Sequence, residues 1–264
     1  RRMPEGPPAL RRARRQHALL AGRPVAAASP QGRFADGAAA LHGRVVERVE
    51  AAGKHLFHHF DRGEVLHVHL GLFGRFRHHD VPPPEPRGAV RLRLVGAEGA
   101  VDLSGPTACD LIGEEGRDAI LARLGPDPLR DDADPERAIA SLARRRLPIG
   151  AALLDQSIIA GLGNVYRAEV LFTCGIDPAR EARSLDRAEL TRVWDESRRM
   201  LREGLRLGRI VTVSAAERGT PPSRARAGER TYVYRRSTCY RCGGPVERPV
   251  IGARPCYRCP ACQT

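Results

Sequence analysis

The sequence predicts an α+β protein of more than one domain: an antiparallel β-sandwich flanked by helices, a helical region, then a small metal-stabilised module. Three observations carry this. Between Val45 and Val95 apolar and polar residues alternate with period two, as half-buried strands do. Beyond Gly125-Pro126-Asp127-Pro128 the apolar spacing becomes helical. The last 34 residues, Thr231 to Thr264, are too few to bury a core unaided, yet they hold Cys239-x-x-Cys242 and Cys259-x-x-Cys262. The expected divisions are therefore 1–128, 129–230 and 231–264, which suits a chain of 264 residues.

In order along the chain, Leu10, Ala13, His17 and Leu20 are spaced for a helix from about Pro7 to Ala21 that packs on a domain. Its arginines faintly suggest a transit peptide, but no apolar leader core accompanies them. Strands follow at Val45 to Val49, Lys54 to Phe60 and Val65 to Leu70. Gly71-Leu72-Phe73-Gly74 reads as a turn that pushes two large apolar side chains outward. The proline-rich segment 81–86 is a loop, and Ala89 to Val95 resumes as a strand. In the helical region Asp134 is an N-cap with Pro135 at the first helical position, leading to Arg146. Further helices are expected over Ile149 to Ala160, Asn164 to Phe172 after the turn Gly161-Leu162-Gly163, and Leu185 to Leu205. Ser214 to Glu229, rich in Gly, Pro, Ser and Arg, is a loop.

A net charge of +13 points to a polyanionic partner, most simply nucleic acid. No apolar run approaches the roughly 20 residues of a membrane span, and no apolar heptad seam argues against a monomer. Lys54 is the single lysine among 44 Lys and Arg residues. In a chain that otherwise writes arginine, this marks a position that needs a compact ammonium rather than a planar fork. Paired C-x-x-C motifs fit a reducing compartment and a metal better than disulfides. Four thiolates at this spacing bind one structural Zn²⁺ tetrahedrally, with about 10 kcal/mol of folding free energy available to order the module. Cys256 forms a competing C-x-x-C with Cys259, whereas Cys109 and Cys174 sit in apolar contexts as small core residues. Six arginines against Glu247 make this module a further polyanion-binding surface.

Met3-Pro4-Glu5-Gly6 adds chemistry. With Met3 removed, Pro4 presents a secondary amine, a nucleophile able to form an iminium with a sugar aldehyde carbon, and Glu5 beside it can shuttle protons. With Arg1 and Arg2 attached the same nitrogen is an amide, so the chemistry requires translation from Met3 or processing to expose Pro4.

This start, the early Lys54, the segment Asp155-Gln156-Ser157-Ile158-Ile159-Ala160-Gly161-Leu162-Gly163-Asn164-Val165-Tyr166-Arg167-Ala168-Glu169 and the tail ending Cys259-Pro260-Ala261-Cys262-Gln263 occur in that order. Together they resemble the formamidopyrimidine-DNA glycosylase/endonuclease VIII family over essentially the whole chain. The start motif and Ala253-Arg254-Pro255 are closer to the endonuclease VIII branch and its actinobacterial relatives. The resemblance implies a helix-two-turn-helix DNA-binding domain in the middle and a zinc finger at the end. It also implies a bifunctional DNA glycosylase/AP lyase of base-excision repair, located in the bacterial cytoplasm on the nucleoid. Its substrate would be double-stranded DNA carrying oxidised bases, mainly pyrimidines, or abasic sites. Two alternatives stay open: a formamidopyrimidine/8-oxoguanine enzyme of the same family, and a non-catalytic member that binds damaged DNA.

By the same resemblance Pro4 attacks the sugar and forms the Schiff base, Glu5 protonates the ring oxygen, and Lys54 lies near the damaged nucleotide and its phosphates. Asn164 and Arg254 grip phosphates, Leu72 and Phe73 fill the gap left by the extruded base, and Glu169 ties the helix-two-turn-helix to the catalytic strand. Cys239, Cys242, Cys259 and Cys262 hold zinc. The chain departs from the family at Pro8, where a second glutamate is common, and at Cys256, where an aromatic or aliphatic residue is usual.

Overall fold

The computed structural model describes residues 5–264, and its chain divides into two compact units. One holds Pro8–Arg123; the other holds Glu5–Pro7 and Leu124–Thr264. Pro4, the expected nucleophile, lies outside the described residues.

In the first unit helix α1 (Gly6–Leu20, whose first two residues group with the second unit) precedes β1 (Pro24–Ala28), α2 (Ala35–Leu41), β2 (Arg44–Ala52), β3 (His55–Phe60) and β4 (Val65–His69). Strands β5 (Arg75–His79), β6 (Val90–Val95), β7 (Ala100–Ser104) and β8 (Ala108–Ile112) follow, then α3 (Glu114–Ala122). All pairs are antiparallel, in the order β5-β7-β6-β1-β2-β3-β4-β8. Strand β1 makes the corner: Pro24 and Val25 pair with β2, whereas Ala26–Ala28 pair with β6. Five residues thus pass from one half of the sandwich to the other, around a core of Leu41, Val46, Leu56, Phe60, Val68, Leu92, Leu94 and Leu103. α1 buries Ala9, Ala13 and Leu20 in that core and is tied to β3 by His58 Nε2 and Gln16 Oε1, 2.6 Å apart and both buried.

The second unit contains α4 (Pro135–Ala143), α5 (Ile149–Ala152), α6 (Asn164–Thr173), α7 (Arg187–Leu207) and the short α8 (Ala215–Arg218). Asp134 caps α4 as expected, accepting the Glu136 amide at 2.9 Å. A reciprocal Asp186–Glu189 capping box starts α7, and left-handed Gly208 ends it. The helix expected over Ile149 to Ala160 is a single turn, because Gln156 and Asp155 compete for its backbone. Gln156 Nε2 donates to the Leu154 and Leu162 carbonyls and its Oε1 accepts the Gly161 amide, while Asp155 accepts the Ser157 amide. Leu142, Ile158, Leu162, Tyr166, Trp194 and Leu201 centre the helical core. A second cluster joins Ala168 and Phe172 of α6 to Tyr232, Val233, Cys239 and Cys259, so the cysteine module shares a core with the helices. The chain closes with the hairpin β9 (Val250–Ile251) and β10 (Arg254–Pro255). Among the described residues no helix is long and apolar enough to cross a membrane.

Candidate functional site

The second unit gathers three of the expected site residues. Glu5 is buried, and its Oε1 accepts the Val165 amide at 3.0 Å in the first turn of α6, where backbone N–H groups lack helical partners and favour negative charge. Gly163 makes room for it. Its φ of −128° suits any residue, but a Cβ there would stand 2.4 Å from Glu5 Oε2.

Asn164, next in the chain and also buried, donates from Nδ2 to the Pro255 carbonyl at 3.0 Å. Its Oδ1 accepts from the Arg167 guanidinium. The amide expected on a phosphate is thus turned toward the hairpin that carries Arg254. That hairpin closes through Gly252 (φ +63°) and Ala253 (φ +58°), the pair of left-handed residues that a two-residue type I′ turn requires.

Arg167 was not singled out in the sequence, although an arginine inside an apolar helix is a signal. It is fully buried and reaches carbonyls rather than a carboxylate: Gly150 and Ile251 at 2.9 Å and Pro255 at 3.1 Å. Burial pushes its pKa down. Glu169 is likewise fully buried. It accepts the amides of Tyr232 at 2.6 Å, Val233 at 3.0 Å and Tyr234 at 2.8 Å, and the Thr212 hydroxyl. Glu169 therefore ties α6 to the segment entering the cysteine module, in place of the catalytic strand expected from sequence.

The thiols of Cys239, Cys242, Cys259 and Cys262 lie within 4.8 Å of one another. A tetrahedral metal with bonds near 2.3 Å fits that spacing. The Gly244 amide holds the Cys242 thiol down at about 7, favouring the thiolate a metal needs. Cys256 is excluded from the cluster and buried, and burial raises its pKa although nearby Arg167 pulls the other way, so the competing C-x-x-C register does not form.

The first unit carries the other expected residues. Lys54 follows Gly53 (φ +56°) in the two-residue turn between β2 and β3 rather than on a strand, since Ala52 pairs directly with His55. His55, His67 and His69 stack beside it, with ring centroids 4.8–5.1 Å apart around His55 and His55 Nδ1 2.9 Å from His67 Nε2. Burial, repulsion within the group and Lys54 hold His55 down at about 3 and lower His69; burial also lowers His67. Among the described residues only the four cysteines bring three or more metal-ligand atoms together.

Leu72 and Phe73 are 48 % and 68 % exposed. The flanking glycines explain why the turn can present them. Gly71 has φ +60°, and a Cβ on Gly74 would meet the Leu70 carbonyl oxygen at 2.2 Å.

Residues 3–103 match the N-terminal domain of formamidopyrimidine-DNA glycosylase, and residues 124–215 match its H2TH domain. The chain belongs to the formamidopyrimidine-DNA glycosylase/endonuclease VIII family. Within that family it is 47% identical to endonuclease 8 1 of Mycobacterium tuberculosis, over 99% of this chain and 100% of the relative. It is 34% identical to the formamidopyrimidine-DNA glycosylase of Cereibacter sphaeroides, over 84% of each chain. The fold of the family enzyme from Lactococcus lactis, solved with DNA containing an N7-benzyl-Fapy-dG, superposes with a TM-score of 0.84 at 23% identity, over 99% of this chain and 100% of that one.

Proposed function

We propose that this member of the family is a bifunctional DNA glycosylase/AP lyase acting mainly on oxidised pyrimidines. Its substrate is double-stranded DNA carrying such a lesion or an abasic site. The Pro4 amine attacks C1′ of the deoxyribose as the base leaves, the nitrogen loses its proton, and its lone pair then expels the ring oxygen to give the iminium. Glu5 protonates the ring oxygen as the sugar opens. The iminium acidifies C2′, and β- then δ-elimination release the 3′ and 5′ phosphates. Lys54, Arg254 and the backbone N–H of Asn164 at the start of α6 hold the flanking phosphates, and Leu72 and Phe73 replace the stacking lost when the nucleotide leaves the duplex.

One observation carries the reading: Glu5 is seated against Gly163 at the start of α6, next to Asn164 and its link to the Arg254 hairpin. The exposed Leu72–Phe73 turn supports the wedge assignment. The 47% identity to endonuclease 8 1 of Mycobacterium tuberculosis, against 34% to the formamidopyrimidine-DNA glycosylase of Cereibacter sphaeroides, favours the pyrimidine branch. Cys239, Cys242, Cys259 and Cys262 hold one Zn²⁺ that orders the terminal module.

The test uses protein whose first residue is verified as Pro4 by intact mass. Duplexes carrying thymine glycol, 5-hydroxyuracil, 8-oxoguanine or an abasic site are incubated with it and reduced with borohydride. The expected outcome is a covalent adduct mapped to Pro4, δ-elimination product, and faster release of the oxidised pyrimidines than of 8-oxoguanine. Tight binding without an adduct would overturn the lyase assignment, and preferred release of 8-oxoguanine would overturn the pyrimidine assignment.

A further inference from the structure

Some of the surface arginines meet carboxylates. On α7 alone Arg199 pairs with Glu196 at 2.8 Å, Arg202 with Asp131 at 2.8 Å and Arg206 with Glu203 at 2.6 Å. Helix α1 presents the other kind, gathered on one element. Helix α1 carries Arg11, Arg12, Arg14 and Arg15 and contains no acidic residue between Gly6 and Leu20. None of the four makes an ion pair among the described residues.

Beside the helix runs edge strand β5, with the sequence Arg75-Phe76-Arg77-His78-His79. Phe76 turns inward onto the sandwich core, and by strand alternation His78 shares its face. Arg12, Arg15 and Leu19 recur on one flank of α1 at helical spacing. Leu19 reaches the end of β5: a Cβ on Gly99 would lie 2.7 Å from Leu19 and 3.2 Å from the His79 carbonyl. Arg12 and Arg15 therefore border His78, and both act on it electrostatically.

The carboxylate that pairs across from Arg77 on the neighbouring strand is already engaged. Asp102 is bound by Arg93 at 2.6 Å and by His79 at 3.0 Å. His78 Nε2 is buried with no hydrogen-bond partner, Arg12 is half-buried, and among the described residues no carboxylate acts on either. Burial and the two arginines hold His78 down at about 4, and burial with neighbouring Arg11 lowers Arg12. Folding has gathered three cationic or cation-forming groups and left them without an anion, which is costly unless an anion arrives.

We propose that Arg12, Arg15 and His78 form a phosphate-binding site, and that its ligand is a backbone phosphate of the same DNA duplex on which the enzyme acts. Guanidinium forks match phosphate oxygens bidentately, and His78 supplies a third donor from the adjoining strand. A phosphate here neutralises charge that no residue of this unit neutralises. The site recognises no base, so its signature is salt dependence rather than lesion preference. The inference rests on the DNA-binding reading given above.

Arg12→Gln/Arg15→Gln tests it, with His78→Gln as a second variant, each in the full chain. Binding to a fluorescent duplex containing a tetrahydrofuran abasic analogue is titrated between about 50 and about 300 mM KCl. Each lost phosphate contact removes about 0.9 from the slope of log K against log salt. The double variant should therefore lose about 1 to 2 from the slope and bind roughly tenfold more weakly at the low-salt end. Its melting temperature should hold or rise, because the substitutions relieve repulsion; a structural role for the arginines would lower it. His78→Gln should lose a smaller part of the slope. Unchanged slope and affinity in the double variant, with wild-type binding intact, would sink this site alone. Failure of the wild type to bind the duplex would sink the DNA reading and this inference with it. Calorimetry with inorganic phosphate separates the two phosphate sources. Millimolar binding to wild type but not to the double variant, with no change in the DNA slope, would assign the site to a small phosphate and overturn the backbone assignment.

Discussion

Gly163 shows how much a single residue position decides. Its extended backbone suits any side chain, so only space requires glycine, and that space is taken by the Glu5 carboxylate. Gly163→Ala should leave the fold nearly as stable, because the atoms in the way are the tip of a flexible side chain, but it should push that carboxylate aside. Displacements of about 1 Å at a reacting group can cost on the order of 100-fold in rate. The expected result is a turnover loss of that size on an abasic duplex, with binding retained and melting little changed. Unaltered turnover would remove Glu5 from the proton-transfer role. Glu5, Asn164 and Arg254 could be picked out in the sequence as candidates because each sits in a short motif, and the fold places Glu5 and Asn164 at the start of α6. Arg167 and the true task of Glu169 were not, since both depend on which carbonyls and amides the tertiary fold brings within reach. Lys54 was legible as a singular residue, but not its place in a turn, which the register of Ala52 with His55 decides.

Among the elements, strands with a clean apolar alternation were readable and those without one were not. β1 is Pro-Val-Ala-Ala-Ala, with poor intrinsic strand formers, and is made a strand by pairing on both sides. β5 carries four cationic or titratable side chains on a sheet edge, and β7 buries Asp102 against Arg93. The opposite error, an overlong helix after Ile149, came from apolar spacing that ignored the side chains of Asp155 and Gln156. The cysteine module was the most legible element, because two C-x-x-C pairs at this spacing bring four thiols together, and the fold leaves the competing Cys256 out. Its shared core with Phe172 and Ala168 means that metal loss should spread into α6. Treatment with a strong chelator, or Cys262→Ser, should abolish DNA binding and raise amide exchange in the Tyr232–Tyr234 segment that Glu169 holds, since roughly 10 kcal/mol of ordering energy is withdrawn. Full DNA affinity in metal-free protein would refute the structural zinc.

At the scale of the whole molecule the titratable groups are divided unequally. All nine histidines fall between His17 and His79, within the first unit, while the single tryptophan, Trp194, is buried in the helical core of the second. Burial is the leading cause that lowers His55, His58, His67, His69 and His78, reaching about 3 for His55 and about 4 for His58 and His78. A histidine held neutral in the fold but protonated when unfolded gives stability that is complete above its unfolded value near 6.5 and declines as pH falls toward its folded value. Glu50, held at about 2 by His59 and Arg117, acts in a lower window, adding stability above its usual 4.5 that is lost toward pH 2. Acidification from pH 7 to pH 5 should therefore weaken the first unit through its histidines while Glu50 still contributes. His58, wholly inside the sandwich, accounts by itself for roughly 2 kcal/mol over that interval, or about 8 °C in a domain of this size. Melting followed by β-sheet circular dichroism should move down by at least that amount, while melting followed by Trp194 fluorescence should move far less. His58→Asn should flatten the circular-dichroism trend between pH 7 and pH 5. If the two probes shift together, or if His58→Asn leaves the slope unchanged, the buried neutral histidines are not what makes this protein acid-sensitive.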